Sequence, residues 1–332
     1  MIVVLHPDAS ASQTEAVIGH LSQLGFDVHK SSGEAQAVLG ALGVQPGFDV
    51  RQILRLPGVA QVHRVTQAYR FASRAWKQEA TIVPVGNVRF GDGSLVLGAR
   101  LDTASDLLEA AHAAASAGAA FGFGGPRAAR PTQAPEPIAD HLNRMGAATQ
   151  SAGLALAVAV GTPSEADAAA HHADLLVSNA HRMTDTDLLQ HLGTLRTPVL
   201  LYRGANATVE EWLVAADYVL AGGNEQVVLC EGGLRLFGEP TRILDVSSMA
   251  AVQARSHLPV FADATYGTGK SDKTASLTRA AIAAGAHGAM LDAFAGDLSP
   301  LAEQLRAIAA IVSGGERQEE ALSVGPTTPS NH

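Results

Sequence analysis

The chain has 332 residues, 47% of them hydrophobic and 17% charged, which is enough for a barrel of about 250 residues plus one small domain. A net charge of −9 with no basic run argues against nucleic acid or an anionic membrane as the main partner, and no apolar stretch reaches membrane-spanning length. The lone cysteine, Cys230, excludes an intrachain disulfide and, with an N-terminus that carries no basic leader, leads us to expect a cytoplasmic protein.

In chain order, residues 2–5 read as a β-branched strand closed by His6-Pro7. Val17, Ile18, Leu21 and Leu24 fall at helical spacing and predict a helix over 12–24. Strands at 26–29 and 37–42, a short helix at 49–56 and a strand at 59–65 complete a β-α-β-β-α-β order. That order is ferredoxin-like, and it is assigned to residues 1–68. Residues 69–82 read as a linker with Arg70, Arg74 and Lys77. The stretch 83–97 reads as a hairpin turning at Gly91-Asp92-Gly93, because Asp-Gly supplies the positive φ of a tight turn. Linker and hairpin together span 69–93.

From there strand and helix alternate. Apolar strand cores lie at 95–97, 119–123, 154–160, 175–177, 199–201, 227–229, 260–262 and 289–291. Eight such units predict a (β/α)₈ TIM barrel over 94–313. Residues 314–332, rich in Gly, Glu, Ser, Thr and Pro, are expected to form a disordered tail.

Barrels of this class place chemistry at the C-terminal ends of their strands. Those ends carry Arg100 and Asp102, Arg127, His181 and Arg182, Arg203, Glu231 and Arg235, Asp263 and Tyr266, and Asp292. The five arginines can converge on an anion, or they can pair with Asp102, Glu231, Asp263 and Asp292 across the mouth. Asp263 or Glu231 is a candidate general base, with Tyr266 as the acid. Cys230 reads as core, His171-His172 as a solvated pair, and Lys270 as a solvent-facing residue in a Gly-rich loop without Walker spacing.

Four segments carry a family resemblance: Pro198-Val-Leu-Leu-Tyr-Arg-Gly204, Val228-Leu-Cys-Glu-Gly-Gly-Leu-Arg235, Thr241-Arg-Ile-Leu-Asp245, and the block from His257 through Asp263 and Tyr266 to Gly288. With the opening Met1-Ile-Val-Val-Leu5, the chain resembles the metal-dependent deoxyheptulosonate-phosphate (DAHP) synthases that have an N-terminal ferredoxin-like regulatory domain. The resemblance implies a transferase barrel joining phosphoenolpyruvate to erythrose 4-phosphate in the shikimate pathway of aromatic amino acid biosynthesis. It also implies a divalent metal held by a cysteine, a histidine, a glutamate and an aspartate.

This chain departs from that pattern. Ala99 stands in the Gly-Pro-Cys turn, Tyr266 replaces the histidine, Asp292 replaces the glutamate, and the aspartate has no counterpart beyond nearby Asp297. Among phosphoenolpyruvate groups, a Lys-Pro-Arg-Thr-Ser loop becomes Gly125-Pro-Arg-Ala-Ala129, and Phe123, Tyr202 and His181 stand where cationic residues are expected. Arg127, Arg203, Arg235 and His181 remain as anion-binding candidates.

The expectation is therefore a catalytically degenerate homologue with no metal cofactor, acting as a regulatory or binding subunit. Expected partners are further copies of itself, an active DAHP synthase or a chorismate-using enzyme, and an aromatic amino acid. The alternatives are altered, metal-independent chemistry on the same barrel, or an active but divergent synthase.

Overall fold

The computed structural model describes residues 1–31, 37–42, 48–63, 68–101, 106–125, 137–235, 242–268, 273–292 and 298–323. These fall into two compact units, one of Met1–Ala80 with Ala254–His257, the other holding the rest of the chain.

The first unit runs β1 (Ile2–Leu5), α1 (Ala11–Gln23), β2 (Asp27–Ser31), β3 (Val38–Leu42), α2 (Arg51–Leu54) and β4 (Val59–His63). The strands form an antiparallel sheet in the order β2-β3-β1-β4, which is the ferredoxin-like arrangement. Ser10 and Gln13 close a reciprocal capping box that starts α1. Val17 and Leu21 of that helix pack with Val3, Leu5 and Leu39 on one face of the sheet.

Residues 69–77, expected as a linker, cover the other face instead. Phe71 and Trp76 pack on Ile2, Val4 and Val38, and their rings meet edge to face at 4.9 Å. That second layer explains why β1 is apolar at every position: it is buried on both sides. His257 locks the same segment, its Nε2 lying 2.7 Å from the Phe71 carbonyl oxygen.

The second unit opens with β5 (Val83–Val85) and β6 (Val88–Phe90), paired antiparallel with Val85 opposite Val88. The hairpin thus turns at Gly86-Asn87, not at Gly91–Gly93 as the sequence suggested. Gly86 takes the positive φ, +56°, that a two-residue turn requires. The Asp-Gly segment instead leads into β7 (Val96–Arg100), which finds parallel partners on both sides and cannot also be a hairpin arm.

The barrel continues through α3 (Leu107–Ser116), β8 (Phe121–Gly124), α4 (Ile138–Ala152), β9 (Ala155–Val160), α5 (Pro163–Ala170) and β10 (Leu175–Ser178). A 3₁₀ turn at Ala180–Arg182 leads to α6 (Thr186–Thr194), β11 (Val199–Tyr202), α7 (Val209–Ala221) and β12 (Val227–Glu231). A small hairpin, β13 (Leu234–Arg235) and β14 (Arg242–Ile243), precedes α8 (Val246–Arg255). The chain then forms β15 (Val260–Ala262), α9 (Ala264–Thr268), α10 (Thr274–Ala283), β16 (Gly288–Asp292) and α11 (Ser299–Ser323). The strands close in the order β10-β11-β12-β15-β16-β7-β8-β9, all parallel: this is a TIM-type barrel.

Its interior is filled by alternate strand residues, among them Val96, Phe121, Ala157, Val177, Leu200, Val228, Phe261 and Met290. Val83, Val85 and Phe90 join that cluster, and Phe90 meets Phe121 and Phe261 at ring distances of 6.2 and 5.7 Å. The β5-β6 hairpin therefore plugs the end where the strands begin, leaving the other end for chemistry. α11 runs on to Ser323, past residue 314 where a disordered tail was expected. Residues 316–322, Glu-Arg-Gln-Glu-Glu-Ala-Leu, are strong helix formers despite the preceding Gly314-Gly315. Residues 324–332 lie outside the described ones.

Candidate functional site: the barrel mouth

Two buried carboxylates organise the mouth. Asp263 follows β15 directly and is fully buried. Its Oδ2 accepts from Arg100 Nη2 at 2.5 Å and from the Tyr202 hydroxyl at 2.7 Å. Its Oδ1 accepts from the Thr265 hydroxyl at 2.5 Å and from the Tyr266 N–H at 3.0 Å. Burial pushes the Asp263 carboxyl up, but Arg100 and these donors together outweigh it and hold the group below the ordinary carboxylate range. The same burial, with the Asp263 charge beside it, drives the Tyr202 phenol well above its ordinary value. Tyr202 is a fixed hydrogen-bond donor rather than an acid.

Glu231 ends β12 and is also fully buried. Its Oε2 accepts from Arg203 Nη1 at 3.0 Å and from Ser248 Oγ at 3.3 Å, and its Oε1 from the Gly233 N–H at 2.7 Å. Arg203 Nη1 also donates to Asp245 Oδ2 at 3.0 Å, and Arg203 Nε to the Ala207 carbonyl at 2.9 Å. Burial raises the Glu231 carboxyl even though Arg203 opposes it. The two networks meet where the backbone N–H of Asp263 donates to the carbonyl of Glu231 at 2.9 Å.

Above them lies a stack of cations and rings. The Arg100 guanidinium sits 4.8 Å from the Phe123 ring centre and 5.8 Å from that of Tyr266. Tyr266 meets Tyr202 edge to face at 5.4 Å, and Arg242 lies 4.5 Å from the Tyr266 ring. A Cβ at Gly232 would come 3.0 Å from both tyrosine rings, so any larger residue there requires those rings to give by a few tenths of an ångström.

Asp263, Glu231 and Tyr266 do come together, yet both carboxylates are already engaged by guanidinium groups. Of the arginines, Arg100 and Arg203 form ion pairs with Asp263 and Glu231, and Arg182 pairs with Asp185 at 3.2 Å. Arg235 is exposed on β13, directly opposite Arg242 of β14. His181 is exposed on the 3₁₀ turn; partial burial, then Arg182 and Arg242, lower its pKa, favouring the neutral imidazole. Arg242 Nη1 and Arg182 Nε are buried donors with no partner among the described residues.

Cys230 is buried in the barrel interior, and His171 and His172 are exposed after α5. Arg127, Asp102, Lys270 and Asp297 lie outside the described residues. Reading the residues alone did not single out Tyr202, Asp245 and Ser248 as hydrogen-bonding members of these networks. Nothing local to them marks that role.

Ala99, expected in the Gly-Pro-Cys turn, is out of phase with the inward residues of β7. On β7 the inward positions are Val96, Gly98 and Arg100, since Val96 belongs to the interior cluster and side chains alternate. Ala99 is fully buried but faces away from the mouth. Laid over Gly98-Ala99-Arg100, a Gly-Pro-Cys turn puts its cysteine at Arg100. The residues around the expected metal position are then a guanidinium, a phenol (Tyr266) and one carboxylate (Asp292). Among the described residues no group of three His, Cys, Asp or Glu side chains could hold a metal ion. This donor set does not fit a divalent cation.

The DAHP synthetase I family profile matches residues 135–309, and that of the DAHP synthase ferredoxin-like domain matches residues 1–67. A phospho-2-dehydro-3-deoxyheptonate aldolase of Thermotoga maritima is 30% identical over 300 residues, covering 88% of each chain. A 2-dehydro-3-deoxyphosphooctonate aldolase of Magnetococcus marinus is 28% identical over 184 residues, 48% of this chain and 63% of that protein. The crystal structure of the Thermotoga maritima DAHP synthase superposes with a TM-score of 0.69 at 27% identity, covering 94% of this chain and 97% of that one. A truncated form of the Thermotoga enzyme gives 0.63 at 28% identity over 77% of this chain and 98% of that one. No described helix is long and apolar enough to cross a membrane.

Proposed function

We propose that this chain, which belongs to the DAHP synthetase I family, serves there as a binding or regulatory subunit rather than as a condensing enzyme. Membership alone is equally compatible with an active synthase. What supports the degenerate reading is the state of the mouth: the two candidate bases, Asp263 and Glu231, are both fully buried and each is held by an arginine. Those same arginines are thereby withdrawn from any anionic substrate. Phosphoenolpyruvate, with a phosphate and a carboxylate, needs several fixed cations at once. Truncating a buried partner of such an anion costs about 2–5 kcal/mol each time.

In this reading the ferredoxin-like unit binds an aromatic amino acid, and the chain assembles with its own copies, an active DAHP synthase or a chorismate-using enzyme. The test has two arms. Purified protein is assayed for consumption of phosphoenolpyruvate and erythrose 4-phosphate with added divalent metals. It is also examined by calorimetry with tyrosine and phenylalanine and by co-purification with those enzymes. No turnover, together with amino-acid binding or a stable partner, is expected. Steady turnover, or the absence of both ligand and partner, would sink the proposal.

A second reading, altered chemistry on the same barrel, has one observation in its favour. The buried donors of Arg242 Nη1 and Arg182 Nε have no partner among the described residues, and both charges act on His181, a setting that suits a small anion. Substituting Asp263, Glu231 and Tyr266 together would abolish such an activity and would leave amino-acid binding intact.

A further inference from the structure

We infer that Arg100 is a protein-borne cation standing in for the divalent metal, so that the barrel mouth is charge-balanced without an ion and refuses one. The positions argue this first. Arg100, Tyr266 and Asp292 are the residues that replace a cysteine, a histidine and a glutamate. They surround one place: Arg100 and Asp292 are register partners on adjacent strands β7 and β16, and the Arg100 guanidinium lies 5.8 Å from the Tyr266 ring. The positive charge therefore lies next to the Tyr266 ring, on a residue whose strand position is paired with Asp292.

Its environment argues this second. Asp263, fully buried, accepts from the guanidinium at 2.5 Å, so the carboxylate's charge is already met. Phe123 and Tyr266 flank the guanidinium, and the Arg100 side chain is 15% exposed. An incoming divalent ion would face a like charge that cannot swing into solvent without stripping Asp263 of the one charged partner it has among the described residues. It would also find a phenol whose ring is held between two arginines. Arginine suits this task because it stays protonated at every relevant pH and its flat faces stack on rings.

The inference rests on the functional reading's view of the mouth, but its test is separate. Full-length wild-type protein is titrated with manganese(II), following free ion by electron paramagnetic resonance and thermal melting with and without chelator. No saturable binding at the mouth and no shift in melting are expected up to about 1 mM ion. Stoichiometric binding that Asp292→Asn abolishes would overturn the inference. Binding that survives Asp292→Asn lies elsewhere and leaves the mouth metal-free, as inferred.

The converse variant combines Arg100→Cys with Tyr266→His. If folded by circular dichroism, it should gain at least about tenfold in manganese affinity and melt higher with the ion present. A folded variant with no gain would also overturn the inference; an unfolded one leaves the wild-type titration to decide. Turnover by wild type in chelator would defeat the functional reading and leave this inference standing, whereas manganese seated at the mouth would defeat this one.

Discussion

Replacing Arg203 with methionine tests whether the mouth is held together by paired charge. Arg203 is 5% exposed and donates to Glu231, Asp245 and the Ala207 carbonyl. Methionine keeps most of the side chain's apolar bulk but leaves Glu231, fully buried, facing only the Gly233 N–H and the Ser248 hydroxyl. Two charges about 4 Å apart at an effective dielectric of about 20 attract by about 4 kcal/mol. Breaking a buried pair by removing one partner costs about 3–5 kcal/mol because the other charge is stranded. We expect Arg203→Met to lower unfolding free energy by about that amount at neutral pH.

Adding Glu231→Gln removes the stranded charge and keeps an acceptor for the Gly233 N–H. The double variant should return to within about 1–2 kcal/mol of wild type. The assay is urea unfolding followed by circular dichroism and by Trp212 fluorescence, since that buried indole lies 5.9 Å from the Arg203 guanidinium. Burial already raises the Glu231 carboxyl, and without Arg203 it rises further. The folded single variant then holds a proton that the unfolded chain releases, so its deficit should shrink as pH falls toward about 5. A loss below about 1 kcal/mol, or equal losses for the single and double variants, would refute the stranded-charge reasoning.

Two further outcomes follow from the structure. Burial holds the His257 imidazole at about 4, against about 6.5 in the unfolded chain. Between those values the unfolded state binds the extra proton, so stability should fall by about 3 kcal/mol as pH drops from about 6.5 to 4. In His257→Gln, which can still donate to the Phe71 carbonyl, that part of the slope should vanish; parallel unfolding curves for the two proteins across that range would contradict this.

Cys230 is fully buried, and burial followed by the nearby Asp263 charge raises its thiol well above the ordinary value. It should resist a thiol reagent in the native protein and react only on unfolding. Rapid native labelling would mean the barrel interior is open.

Much of the architecture is legible from local pattern. The apolar cores at 154–160, 199–201 and 260–262 announce buried parallel strands because runs of that kind need both faces covered. The ferredoxin-like order is readable because helical and extended periodicities switch at each boundary. Local pattern misleads where two turns compete, as at Gly86-Asn87 against Gly91-Asp92-Gly93. It also misleads where a segment's role depends on what it packs against, as with Phe71 and Trp76.

The list of mouth residues is likewise a property of the sequence, since each is read at or just beyond the C-terminal end of a strand. Which of them meet is not. Arg100 and Asp263 are 163 residues apart in the chain, and only barrel closure, through the register of β15, β16 and β7, brings their strand ends together. The phase of alternation on β7 then aims Arg100, not Ala99, at the mouth. One residue of phase separates a small, neutral side chain there from a fixed positive charge, and that phase is set by neighbouring strands rather than by the residues of β7 themselves.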